Sequence, residues 1–435
     1  MFSYKPIKMK LKIRNIFCLP LLFVSIICFE ARAQEDAIQR YAWQYHTVGH
    51  KLLQIEESYL DTAGNLASEF DRSYRFLDSI LHLAETRIKF SPSKDGNRGR
   101  ATLKKIDKLL FDLGFIMFHR VNRLYDGIRP RQLAEEEFRT FTNNMPPAYR
   151  KKFRKHSKPS YFFADCDVGS VIYLSIGEVI GLPVYGVNVP GHMFVRWKMK
   201  SGETLNWETQ WGKTRSNNFY RKRHRTTPEM EAFHQYMQEL SNEELEGFYY
   251  LLWGVRLLGG SRHVEGIEFL EKAHSKNPAT PNVKMWLADA YAQSEDPENH
   301  QKAESICLEL LSTTQKNVHL LNIHGNVKNK LGKHHEAVHS LDQAISLDPM
   351  NGFGYIQRGL AHLRQGSLGE AIADLSRSVE INDSNADAYL HLGLAYQMQG
   401  NNKDACVNLK QAFELAGPSI LNQETAEFLH ACEDK

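Results

Sequence analysis

Three residue types in the middle of this chain could together transfer an acyl group. Cys166 stands between two acids at the head of "ADCDVGSVIYLSIGEVIGLPVYG" (164–186), His192 follows Pro190-Gly191, and Glu208 lies 16 residues beyond it. A thiol attacks a carbonyl as the thiolate. It therefore needs a base to take its proton, and the base needs a third group to fix its tautomer and stabilise its charged form. An imidazole and a carboxylate suit those tasks, with Asn206 a rival to Glu208 for the third. The competing reading of Cys166 is a small buried hydrophobe that opens a helix, because free cysteines are among the most buried residue types.

The flanking pattern predicts the elements that would carry these groups. Val168, Val171, Ile172, Ile176, Val179 and Ile180 suit a largely buried helix, and Gly181 with Pro183 supplies its ending. Cys166 then sits where unpaired N–H groups and the helix dipole favour a thiolate. Asp165 and Asp167 oppose this unless they cap the helix. "VYGVNV" (184–189), "HMFVRWK" (192–198) and "TLNWET" (204–209) read as strands. Alternation places Met193, Val195, Trp197, Leu205 and Trp207 on a core face, and His192, Phe194, Asn206 and Glu208 on the other. A hairpin turning about Lys200 would set His192 directly opposite Glu208. Trp211 and Trp207 are the candidate walls of a substrate groove, with Tyr161 near them in sequence. The Cys166 N–H is the expected oxyanion donor.

The run "DCDVGSVIYLSIGEVIGLPVYGV", "PGHMFVRW" and "NWET" resembles the transglutaminase-like core of the papain-type cysteine superfamily, over about 160–212. The resemblance implies an α+β core in which a Cys opens a helix ending at a Gly-Leu-Pro turn, a His opens a strand and an acid follows. It assigns Cys166 the role of nucleophile, His192 that of base and Glu208 that of orienter. Two positions depart from the pattern: the acid is usually Asp followed by Pro-Thr, and Trp is common where this chain has Phe194. The superfamily includes inactive forms. The implied function is a thiol-dependent hydrolase or acyl transferase acting on amide bonds, and the alternative is a non-catalytic adaptor with a degenerate domain.

The C-terminal half repeats. Gly254, Ala288, Gly325, Gly359 and Gly393 are spaced by 34, 37, 34 and 34 residues, with Leu270, Cys307, Leu341, Leu375 and Leu409 following at a matching position. This resembles the tetratricopeptide repeat, in which small residues let two antiparallel helices approach closely. It implies an all-α solenoid of about five units over 245–418, a capping helix over 419–435, and a concave surface that holds a protein or peptide. "HEAVH" (335–339) fits a zinc-protease pattern, but Ala337 occupies a repeat position, so His335, Glu336 and His339 read as surface residues of a repeat helix. No cofactor or metal is implied.

The first residues read as a targeting signal. Lys5, Lys8, Lys10, Lys12 and Arg14 precede the apolar "IFCLPLLFVSIICF" (16–29), and Ala31 and Ala33 frame a cleavage point. The expectation is a signal peptide over 1–33 and an exported, periplasmic or secreted protein with no membrane span after cleavage. Removing 1–33 takes away six Lys/Arg and one Glu, which moves the formal net charge from +3 to −2 and gives no reason to expect a nucleic acid partner. Residues 34–150 read as a helical N-terminal region and 151–240 as the core, joined by the basic "MPPAYRKKFRKHSKPS" (145–160). Of the mature cysteines, Cys406 and Cys432 could pair, but packed free thiols are the expected state of all four.

Overall fold

The structure, a computed structural model, describes residues 45–60, 65–90, 96–116, 124, 162–163, 165–260, 262–314 and 316–433. The expected signal peptide, the basic connection at 145–160 and Tyr161 lie outside the described residues. The helical periodicity of the N-terminal region produces α1 (Val48–Leu60), α2 (Ala67–Arg87) and α3 (Gly96–Leu113). The helical region expected over 34–150 would carry the last of these onward past Leu113. Instead Gly114, at φ 97°, ends it, and β1 (Phe115–Ile116) pairs in parallel with β2 (Phe162–Phe163). An aromatic stack accounts for the difference: Phe162 lies 4.3 Å from Phe76 and 5.0 Å from Phe115, centroid to centroid.

Helix α4 (Cys166–Ile180) follows, buried along most of its circumference. Asp165 caps it, its Oδ1 accepting the N–H groups of Asp167 and Val168 at 3.0 Å each. Gly181 closes it in the left-handed region, at φ 72°, where a Cβ would be strained. The chain then forms a four-stranded antiparallel meander of β3 (Val184–Val189), β4 (His192–Lys198), β5 (Thr204–Glu208) and β6 (Lys213–Arg215). Met193, Val195, Trp197, Leu205 and Trp207 share one hydrophobic core with α1–α4. The N-terminal helices are therefore part of the central domain. Phe90 meets Trp197 edge-on at 5.5 Å from their side of that core.

Two features of the sheet differ from the sequence expectation. Trp197 pairs with Leu205 and Arg196 with Asn206, so the hairpin turns about Ser201 rather than Lys200. Gly202, at φ 87°, makes this turn possible, with its N–H on the Met199 carbonyl. A two-residue slip preserves the face of every side chain. His192 and Glu208 are consequently diagonal neighbours instead of directly opposed. The second difference is that the polar face is also covered. Helices α5 (Asn217–His224) and α6 (Pro228–His234) follow the sheet, and Tyr220 and Met237 join Val187, Val189 and Phe194 in a second core cluster.

Ten helices then stack as five antiparallel pairs: α7 (Asn242–Gly259) with α8 (His263–Lys276), α9 (Pro281–Gln293) with α10 (Pro297–Thr313), α11 (Val318–Lys330) with α12 (His334–Leu347), α13 (Gly352–Gln365) with α14 (Leu368–Ile381), and α15 (Ala386–Gln399) with α16 (Asn402–Ala416). A terminal helix, α17 (Gln423–Glu433), packs on α16. Its Cys432 is disulfide-bonded to Cys406, with the Cα atoms 5.9 Å apart. This corrects the expectation of free thiols for that pair, because the fold-back of α17 brings two distant cysteines within bridging range. Cys166 and Cys307 are free and buried.

The small residues set how closely each pair approaches. A Cβ built on Gly325 would lie 2.5 Å from Leu341 Cγ, closer than packed atoms come. In the one unit with Ala288 at this position, the matching leucine is replaced by Cys307, so the added methyl is offset by a smaller partner. Gly325→Ala should therefore destabilise the chain by about 1–3 kcal/mol, and Leu341→Cys added to it should recover part of that loss. Denaturant unfolding of the two single variants and the double variant checks this. Strictly additive losses would show that the pair does not share one packing constraint.

Candidate functional site

The site residues come from α4, β4 and β5; side chains of α4 reach the β4 backbone at Met193, and β5 pairs with β4 from Val195 onward. The Met193 side chain is 1% exposed in the core, while its carbonyl accepts the Ser170 hydroxyl at 3.3 Å. A backbone hydrogen bond from Met193 also acts on the Cys166 thiol. Cys166, 9% exposed, is thereby held against the residue next to His192.

On the other face of β4, His192 Nε2 lies 2.8 Å from Glu208 Oε2, with both side chains at least nine-tenths buried. The diagonal pairing lets a long carboxylate side chain reach across. Tyr220 donates to the same Glu208 oxygen at 3.4 Å, and the His192 ring stacks on His224 at 5.3 Å. His224 is itself bonded through Nδ1 to the Pro190 carbonyl at 2.9 Å, in the turn just before His192. Asn206 is occupied elsewhere, accepting from Arg196 Nε at 2.8 Å and donating to Asn217 Oδ1 at 2.7 Å. The acid on the ring is Glu208.

Around the thiol the electrostatics are unfavourable to charge. The Cys166 S–H donates to Asp167 Oδ1 at 3.4 Å. Burial, reinforced by Asp167 and Asp165, pushes the thiol far above its ordinary range, with the Met193 hydrogen bond acting the other way. Burial also raises Asp167, opposed by the Cys166 hydrogen bond and by His192. Asp165 is raised to about 6 by burial and by Asp167, despite the amides it caps. Asp165 takes the N–H groups of residues 167 and 168 with its side chain and that of Gly169 with its carbonyl. Among the described residues the Cys166 N–H has no such partner, which leaves it available as an oxyanion donor.

The two tryptophans separate. Trp207 is 0% exposed and donates its Nε1–H to the Tyr173 hydroxyl at 3.3 Å, so it is a core residue and cannot wall a groove. Trp211 is partly exposed in the turn after β5, its N–H on the Glu208 carbonyl at 3.2 Å. The sequence reading did not find Tyr220, His224 or Tyr249. Tyr220 and His224 lie four apart on α5, a spacing that marks a shared helix face. Tyr249 comes from the first repeat helix, α7. Burial, with Glu56, Asp167, Asp165 and Cys166, raises its hydroxyl well above the ordinary value. The "HEAVH" residues sit on α12, with Glu336 bonded to Lys328 at 2.6 Å and His339 to Gln343 at 3.1 Å.

Comparison with known proteins agrees with this architecture. The profile of the transglutaminase-like superfamily matches residues 168–246, beginning two residues after Cys166 and including His192 and Glu208. Tetratricopeptide profiles match 318–351, 359–400 and 386–418. The chain thus carries a transglutaminase-like domain followed by tetratricopeptide repeats. Among solved structures it is similar to TTC0263, a thermophilic repeat protein of Thermus thermophilus, at 21% identity over 42% of this chain and 99% of that one, TM-score 0.39. It is also similar to YrrB, a repeat protein with an unusual peptide-binding site, at 20% identity over 43% of this chain and 92% of that one, TM-score 0.32. No curated protein matches the chain.

Asp165 gives the site a pH signature. Its pKa is raised from an ordinary 3.8 to about 6, so the stability tied to this group is complete below 3.8 and is lost as pH rises through about 6. Asp165→Asn keeps a capping side chain and removes the charge. Relative to wild type it should gain on the order of 2 kcal/mol at pH 7 and little at pH 4. Thermal unfolding across that range is the check; equal pH slopes for the two proteins would contradict the assignment.

Proposed function

We propose that this chain is an exported thiol-dependent hydrolase or acyl transferase acting on amide bonds, with a repeat solenoid that holds a protein or peptide. The observation that carries the reading is the buried His192–Glu208 hydrogen bond, one residue from the Met193 carbonyl that accepts the Ser170 hydroxyl of α4. With Nε2–H donating to Glu208, Nδ1 keeps its lone pair and is the nitrogen free to act as base. His192 takes the Cys166 proton as the sulfur bonds to the amide carbon. The C–N bond then breaks, and the same proton passes to the leaving amine. Water or a second amine attacks the resulting thioester and restores the thiol. Glu208 stabilises the transient imidazolium, and the Cys166 N–H supports the oxyanion. Because the thiol is neutral at rest, the proton transfer belongs to the reaction itself. The Cys406–Cys432 disulfide supports export, since such bonds persist in oxidising compartments.

One observation favours a second reading, a non-catalytic adaptor: the hydrogen of the thiol is directed at Asp167, not at the imidazole. Iodoacetamide labelling of the folded chain separates the two. Catalysis predicts that Cys166 reacts faster than Cys307 and that His192→Ala abolishes the difference. It also predicts that wild type releases ammonia from glutamine peptides or incorporates a fluorescent amine. Cys166→Ala should abolish that activity, and Glu208→Gln should lower it by about 10²–10⁴. Equal labelling of the two thiols, with no turnover, would leave the adaptor.

A further inference from the structure

The first helices of successive repeats enclose a groove of about 870 Å³, lined from His263 to His391 and crossing α9, α11, α13 and α15. Its charge is unbalanced. Lys330 on α11 and Arg364 on α13 occupy one repeat position, 34 residues apart, and both are exposed on the groove. Neither makes an ion pair among the described residues. Other cations of the same repeats are held by acids: Lys328 by Glu304 and Glu336, Lys333 by Glu304, and Arg358 by Asp342 and Asp374. The one acid in the lining, Asp289, is raised above the ordinary carboxylate range by burial, which weakens its ability to balance the cations. The carboxamides of Asn326 and Gln357, about one and two turns before the cations on the same helices, also line the groove and have no side-chain partner among the described residues.

This inference rests on the reading of the repeats as a peptide-holding solenoid and specifies the peptide. We propose that the groove binds an extended acidic segment of a partner protein, with Lys330 and Arg364 anchoring its carboxylates. Asn326 and Gln357 pair with the backbone of that segment. Helices of neighbouring repeats pack at roughly 10 Å, so the two cations suit acids about two to four residues apart on one face of an extended chain, which rises roughly 3.3 Å per residue. Carboxamides can donate to and accept from peptide groups at once, which suits a ligand read mainly by its backbone. A nucleic acid strand would also bring negative charge. It binds by stacking bases on aromatic platforms, however, and Phe353 is the one Phe, Tyr or Trp in the lining.

Fluorescence polarisation on the full, disulfide-bonded chain tests the proposal, with labelled 12-residue Glu-Gly, Gln-Gly and Lys-Gly alternating peptides as probes. The Glu peptide should bind at least about tenfold tighter than the Gln peptide and weaken as salt rises. The double variant Lys330→Ala/Arg364→Ala should lose about tenfold in affinity with its circular dichroism unchanged, and Lys403→Ala, outside the groove, should lose nothing. Equal binding of the Gln peptide would overturn the acidic specificity and leave peptide binding intact. Failure of all three peptides to bind would overturn both. Glu-peptide binding that ignores the double variant, or its displacement by a tighter-binding single-stranded oligonucleotide, would also overturn the proposal.

Discussion

The seam between the first turn of α4 and the first residues of β4 is the contact on which the central domain depends. Met193 serves it in two ways. Its side chain is sealed in the main core, and its backbone receives Ser170 and acts on Cys166. Because strand side chains alternate, anchoring Met193 inward sends His192 and Phe194 to the opposite face. There α5 holds them: Phe194 stacks on Tyr220 at 3.8 Å, and His192 on His224. The position of the imidazole is thus fixed by apolar burial on both sides of the sheet. The His192–Glu208 pair inherits the rigidity of the core.

That rigidity carries an electrostatic cost at the thiol. A helix N-terminus lends about half a positive charge, which would favour a thiolate in isolation. Here two amides of that end are already engaged by Asp165, and Asp167 lies beside the sulfur. Desolvation and two acids outweigh one dipole, so the resting group is a thiol. The arrangement suits a nucleophile generated only when a base takes the proton in the transition state. It equally protects a free cysteine from oxidation, which matters in a chain that also holds a disulfide.

Much of this was legible in the sequence because it depends on periodicity. The apolar spacing after Asp167 gave the helix and hence the place of Cys166, and period-2 alternation gave the core face from Met193 to Trp207. The 34-residue spacing gave the solenoid. The register of the β4–β5 hairpin was not legible: pairing about Lys200 or about Ser201 puts the same residues on the same faces. The choice lay in the backbone of Gly202 and the Met199–Glu203 closure. The cover over His192 was also hidden, since Tyr220 and His224 follow the last strand and nothing local says that α5 folds back. The preference of Arg196 for Asn206, which leaves Glu208 to the ring, is a three-dimensional competition between two acceptors. The pairing of Cys406 with Cys432 likewise needed the fold-back of α17.

The boundary between the two halves is less sharp than the sequence pattern suggests. Helix α7 opens the first repeat, yet its Trp253 packs on Tyr59 of α1 at 4.3 Å, and its Tyr249 responds to the acids around Cys166. Glu246 of the same helix pairs with Lys51 at 2.6 Å. One face of α7 therefore completes the core that positions the thiol, while the other begins the stack that forms the groove. Solenoid repeats contact mainly their neighbours, so the array meets the central core one interface at a time. The last such interface before the site is α7 itself. The groove and the surroundings of Cys166 thus share a single helix, and the repeats are a structural part of the domain they follow.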